Sequence, residues 1–490
     1  MSTVTKLNYL DLVDGQFRET TAADLSALFD AVNSTSQKHI LVHLHGGLVS
    51  RSAASGAADG LIKPYIDGGT YPVFFFWNSG ALSVLANNLD EVAKEPVFWR
   101  LVRRLAQLLA GKLAEAKGTR GLTIKAEPMM EVPEDPQALK DWAAAREPPP
   151  ETKTATPDLT RTQREQIERE LQDDYVLKAE SAAIAAGLRE PQEVEQDLAL
   201  RSRGGPPVRA SRKTLMSPTV LKEIAAKTPE PGTRSITTLL AIAKYGVEIA
   251  AAVIKRYKDD RDHGLLITIA EEVARTLYAD SIGSTIWTLM KNDTRDAFGQ
   301  DPERFGGTAF VDHLVKWWQP GKRITLVGHS TGAIYIGYLL EQIDKKLPPE
   351  AKADVIFLAP ACTFAFMSER LPLYERRVAG FRMFALHDAL ERGYWEVPVL
   401  YPASLLYMVS GLFEDPVVDM PILGMERYHS GKSPYVDPQI SAVLKWIGSR
   451  IVWSEASGVL GGNTGAKKHG AFDDDTATLA SLTYLLQNGF

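Results

Sequence analysis

The chain has almost no cysteine: Cys362 is the only one in 490 residues. That excludes an intramolecular disulfide framework and cysteine-rich zinc sites, and it suits a reducing compartment. No strong charge imbalance is present either. A formal net charge of −6, with acidic and basic residues intermixed, leaves no electrostatic footprint for nucleic acid and no polybasic membrane patch. The opening Met1-Ser2-Thr3-Val4-Thr5-Lys6-Leu7 lacks the charged start and apolar centre of a signal peptide. The longest apolar stretch, Thr237 to Ile254, is interrupted by Lys244 and Glu248, each costing about 2.5 kcal/mol or more at mid-bilayer. It reads as a soluble helix, so no transmembrane segment is expected and cytoplasmic residence is the default.

What is present is organised around one stretch. Ile324-Thr325-Leu326-Val327 is a short apolar run that leads without a linker into Gly328-His329-Ser330-Thr331-Gly332, then into the apolar helical pattern Ala333 to Leu340. Gly-x-Ser-x-Gly carries meaning where a strand turns sharply into a helix and forces the serine into a strained conformation. Ser330 would then stand at the carboxyl edge of a sheet, over helix N–H groups that favour developing negative charge.

Earlier, the strand-like Ile40-Leu41-Val42-His43-Leu44 runs directly into His45-Gly46-Gly47. Glycines let backbone N–H groups point at a substrate oxygen without obstruction, so Gly46 and Gly47, with the N–H of Thr331, are the candidate oxyanion donors. An ordinary glycine turn is the alternative. The motif continues with Leu48 rather than a third glycine, which leaves open which N–H groups donate.

The remaining elements alternate. Lys6 to Phe17, with Asp14-Gly15 at a turn, predicts one or two edge strands. Ala22 to Val32 has helical spacing, Tyr71 to Trp77 is a strand covered on both faces, and Ala81 to Leu89 and Val97 to Leu113 are helical again. From about Glu115 to Ser235 charged helical pieces are separated by Pro148-Pro149-Pro150, Pro206-Pro207 and Pro229 to Pro231, and nearly half of the 28 prolines fall there. This predicts a surface insertion without sheet strands. Ile236 to Ile254 and Leu265 to Met290 are long helices that cap Ser330 or cover a sheet face, and Phe310 to Trp318 is a further helix before the elbow. Later strands are expected at Ala353 to Leu358, Phe381 to Leu386 and Arg450 to Trp453, with Asp473-Asp474-Asp475 capping a terminal helix. The organisation that follows is a core part at 1–114, a helical and proline-rich insertion at 115–290, and a second core part at 291–490.

A serine at neutral pH needs an imidazole to take its proton and a carboxylate to orient that imidazole. Of nine histidines, His469 follows the last expected strand and precedes the terminal helix; His429 is the competitor. Asp388, just past the strand Phe381 to Leu386, is the candidate acid, with Asp415 and Asp419 as fallbacks. His387 is read as a packed histidine, since neighbouring strand side chains point to opposite faces.

His45-Gly46-Gly47, Gly328-His329-Ser330-Thr331-Gly332, Asp388 and His469, in that order, resemble the serine hydrolases of the α/β-hydrolase fold, in their lipase, esterase and acyltransferase part. The resemblance covers the early region and roughly the last third of the chain. It implies a mostly parallel central sheet flanked by helices and cleavage of a carboxylic ester through an acyl-enzyme, with Ser330 as nucleophile, His469 as base and Asp388 as orienting acid. The substrate would be a small-molecule or lipid acyl compound, and no metal or organic cofactor is needed. An amidase, peptidase or acyltransferase would use the same triad, and a regulatory subunit binding a protein partner through the insertion is the reading of another class.

Overall fold

The computed structural model describes residues 4–35, 37–47, 49–78, 88–89, 91–92, 94–115, 135–147, 153, 156–187, 214–226, 234–279, 284–393, 401–414 and 417–490. Among these residues eight strands make one sheet: β1 (Tyr9–Val13), β2 (Gln16–Phe17), β3 (His39–Leu44), β4 (Tyr71–Asn78), β5 (Arg323–His329), β6 (Ala353–Leu358), β7 (Val378–Leu386) and β8 (Ile451–Ser454). Their spatial order is β2-β1-β4-β3-β5-β6-β7-β8. Only the β1–β2 pair is antiparallel, joined at the turn Asp14-Gly15; the others are all parallel.

The pattern of the strands explains the arrangement. Every residue of β3 is buried, as a parallel strand covered on both faces requires. Helices Arg51–Asp67 and Thr476–Asn488 pack together on one face, while Gly332–Lys346 lies against β5 and β3 on the other, flanked by Gly306–Trp317 and Phe364–Arg377. Phe75 of β4 meets Phe310 and Tyr335 edge-on across that second face, and fully burying one such ring contributes roughly 1.5–3 kcal/mol.

The strand expectations agree to within a few residues at each end. No strand occurs among the described residues of the insertion; Pro136–Ala144, Arg161–Asp173, Tyr175–Gly187 and Pro218–Ala226 are helices. The proline clusters, and most of the helix expected at Ala81 to Leu89, lie outside the described residues. The helix expected over Leu265 to Met290 is two, Leu265–Leu277 and Ser284–Asp296. Tyr278 leaves helical geometry at the end of the first, its hydroxyl donating to Glu95. The helix Pro96–Glu115, assigned to the core from its sequence position, packs on Leu265–Leu277 and Tyr175–Gly187, so the helical layer begins before residue 115.

Among the described residues one helix, Ser235–Lys258, is long and apolar enough to cross a membrane by length and composition. In this fold it packs on Tyr175–Gly187, Arg161–Asp173 and Leu265–Leu277. Its Arg256 is buried against Glu271 and Glu272.

Candidate active site

β5 ends at His329, the helix Gly332–Lys346 begins three residues later, and Ser330 between them has φ +54°. A non-glycine residue held there costs on the order of 1–3 kcal/mol and needs its surroundings to enforce it. They do. The Ser330 N–H donates to the carbonyl of Leu358, and its own carbonyl accepts from Ala361 and Ala333. Gly328 and Gly332 are required by close approach: a methyl at Gly328 would stand 2.8 Å from the backbone of Gly332, and one at Gly332 would collide with the carbonyl of Leu44.

The loop after β3 lies against this turn. A methyl on Gly46 would be 3.2 Å from Cβ of Ser330, and one on Gly47 would be 2.9 Å from Oγ1 of Thr331 and 2.6 Å from Cε of Met290. His45 sets the course of this loop. Its Nε2 accepts from the backbone N–H of Trp77 at 3.1 Å, so Nδ1 carries the proton and donates to the carbonyl of Gly46 at 2.8 Å. With the Gly46 carbonyl turned toward His45, the N–H of Gly47 in the same peptide plane points the opposite way. Among the described residues, neither the Gly47 nor the Thr331 N–H has a hydrogen-bond acceptor. Gly46 and Gly47 therefore lie against Ser330 and Thr331.

His469 follows β8, in a short turn before the helix Thr476–Asn488. Its ring lies 5.3 Å from that of His329, centroid to centroid. Both of its ring nitrogens are buried and have no hydrogen-bond partner among the described residues. Burial, together with the positive charge of His329 and against the opposing pull of Asp473, pushes its pKa down to about 3, so the ring is neutral at pH 7, and neither nitrogen is hydrogen-bonded to the hydroxyl of Ser330.

Asp388 is held elsewhere. β7 stops at Leu386, and Asp388 opens a short helix, Asp388–Glu391, where its carboxylate accepts from the hydroxyl of Tyr407 and its N–H donates to Glu426. No hydrogen bond joins it to His469 among the described residues. Because the strand ends one residue before His387, the alternation argument does not apply to that histidine: it is half-exposed, stacks on Trp453 with ring centroids 6.0 Å apart and pairs with Glu426 at 2.8 Å. His429 donates to the carbonyl of Leu423 and stacks edge-on with Phe364 and Trp453. Asp419 is taken up by His263, Tyr428 and Tyr435, and Asp415 lies outside the described residues.

The carboxylate beside the elbow is Asp473, which sequence reading treated only as part of a helix cap. The cap is Asp475, accepting from Thr478. Asp473 instead lies 2.6 Å from Nδ1 of His329, while His329 Nε2 donates to the backbone carbonyl of His469 at 3.0 Å. Contact with His329 offsets the burial of Asp473 and brings its pKa down to about 2, so the carboxylate is ionised and His329 holds both ring protons. His43 completes the cluster, with Nδ1 at 2.9 Å from the hydroxyl of Tyr65 and Nε2 at 3.9 Å from Asp473. The position of His329 immediately before Ser330 was the available signal.

The class defined by these observations is an α/β protein with a mostly parallel sheet and a strained serine between a central strand and the helix that follows it. Beyond that class, no family model, curated protein or solved structure matches the chain.

Proposed function

We propose that the chain is a serine hydrolase of α/β-hydrolase fold that cleaves a carboxylic ester through an acyl-enzyme. The observation that carries this reading is Ser330 at φ +54° between β5 and its helix, with the Gly46-Gly47 loop packed on it. Ser330 attacks the acyl carbonyl and forms the acyl-enzyme bond as its proton passes to His469, which then returns that proton to the leaving alcohol. Water, deprotonated by the same imidazole, attacks the acyl-enzyme and releases the acid. The N–H groups of Gly47 and Thr331 take the charge on the tetrahedral oxygen, where one donor is worth about 10²–10³ in rate. His329, clamped by Asp473, fixes the loop that carries His469.

Asp473 has the better claim than Asp388 to the carboxylate role, since it pairs with His329, the residue before Ser330, while Asp388 is engaged by Tyr407. The substrate is a small-molecule or lipid acyl ester, and the single buried cysteine, Cys362, suits a cytoplasmic setting. The test is labelling by a fluorophosphonate probe. Wild type reacts and Ser330→Ala, folded by circular dichroism, does not; equal labelling of both proteins would refute the assignment.

A further inference from the structure

A second constellation lies at the seam between the insertion and the core, away from the residues grouped around Ser330. The helix Pro136–Ala144 presents Lys140, Ala143 and Ala144 on one face, because positions three and four apart share a side. The two alanines leave room, and a cavity of about 320 Å³ opens there, walled by Leu266, Ile267 and Pro402, with Arg392 and Glu147 at its polar side. That volume is at the small end of ligand pockets.

Its charges do not cancel. Arg392 is paired with Glu147 at 3.0 Å, and the same carboxylate accepts from the N–H of Leu265. Lys140 has no such partner: its Nζ is buried and makes no hydrogen bond or ion pair among the described residues. The Lys140 ammonium is therefore without a bonded anion among the described residues beside an apolar cavity, an arrangement that favours an anionic ligand as the missing partner. Leu266 and Ile267 come from the first turn of the helix Leu265–Leu277, whose preceding N–H groups, of Gly264 and Leu265, are already taken by Asp262 and Glu147.

We propose that this cavity binds a small organic anion, its carboxylate or phosphate on Lys140 and its apolar part against Leu266, Ile267 and Pro402. Burial and the neighbouring Arg392 charge bring the Lys140 ammonium down to about 8, so it is still charged at pH 7, and binding weakens as the pH rises above that value. Asp141, on the following residue, acts in the opposite direction.

The experiment is calorimetric titration of the full chain at pH 7 with hexanoate, with phenyl phosphate and with uncharged hexanamide. At least one anion binds, about tenfold or more tighter than hexanamide, and Lys140→Met loses about the same factor. The two anion arms tell a carboxylate site from a phosphate site. Ser330→Ala binds as wild type does, which separates this site from the proposed hydrolase centre. Removing an unpaired charge also leaves Lys140→Met at least as heat-stable as wild type, and adding the anion raises the melting temperature of wild type only. The proposal is overturned if no anion binds below about 10 mM, if Lys140→Met binds equally well, if Ser330→Ala abolishes binding, or if Lys140→Met melts well below wild type.

Discussion

His329 Nδ1 lies 2.6 Å from a carboxylate oxygen of Asp473, a residue 144 positions later in the chain. This contact ties the strand that delivers Ser330 to the turn that delivers His469. Asp473→Asn removes the charge and leaves a buried imidazolium unbalanced, a change that costs about 3–5 kcal/mol for a buried pair. Urea denaturation at pH 7 measures that loss. In the proposed mechanism His329→Gln, which keeps a donor toward the carbonyl of His469, retains more activity than His329→Ala, with the difference in kcat rather than KM. Equal kcat for the two variants would remove the positioning role of His329.

A larger buried network joins the segment around the helix Leu265–Leu277 to residues 401–435. His263 meets Glu271 at 2.7 Å and Asp419 at 2.9 Å, and all three side chains are fully buried. Arg256 and Tyr401 also reach Glu271, while Tyr428 and Tyr435 donate to Asp419. His263→Ala takes a shared donor from two carboxylates at once, and about 3–5 kcal/mol of stability goes with it. A double mutant in which His263→Leu is combined with Glu271→Gln loses less than the sum of the single changes. Strict additivity in denaturation midpoints would show the network is not coupled.

Acid stability follows from the buried histidines. Burial lowers His39 and His469 to about 3 and His43, His45 and His429 to about 4. The unfolded chain takes up protons at these positions below about pH 6.5, while the folded chain does not. These five histidines therefore leave stability unaffected above 6.5 and lower it as the pH drops from there toward 4, by up to about 1.4 kcal/mol per pH unit for each. Glu271 and Asp473, each lowered to about 2, add a second loss. Their stabilisation is present above their unfolded values near 4 and disappears as the pH falls through 2. Urea midpoints at pH 7.5, 6 and 5 check the first phase; a flat profile across that range would contradict it.

The sheet was legible because its strands are short apolar runs followed at once by glycine or polar breaks, and β3, β4 and β5 admit no other periodicity. The elbow was legible for the same reason. Glycines flank Ser330 where two backbones nearly touch, and a local steric requirement writes itself into adjacent residues. The carboxylate was not. Asp388 lies between Ser330 and His469, the order the resemblance implies, whereas Asp473 follows His469, and the choice between them depends on where β7 stops and on what Tyr407 and His329 do, contacts that no local pattern encodes. Lys140 was silent for a related reason: a lysine on a short helix reads as solvent-facing until the helices that bury its ammonium are in place.

Two glycine substitutions separate fold from chemistry. In Gly332→Ala the new methyl runs into the carbonyl of Leu44, a backbone atom of a central strand that cannot move without disturbing β3 and β5 together. In Gly47→Ala the methyl meets the end of the Met290 side chain and the hydroxyl of Thr331. Met290 is flexible enough to yield, so the fold survives while the loop shifts by a few tenths of an ångström. Donors aimed at an oxyanion tolerate such a shift poorly. Gly332→Ala is therefore expected to unfold or to lose several kcal/mol in urea denaturation. Gly47→Ala is expected to keep its melting temperature within a few degrees and to slow probe labelling and ester turnover by roughly 10²-fold. If Gly47→Ala turned over esters at the wild-type rate, the loop after β3 would have no part in stabilising the tetrahedral oxygen.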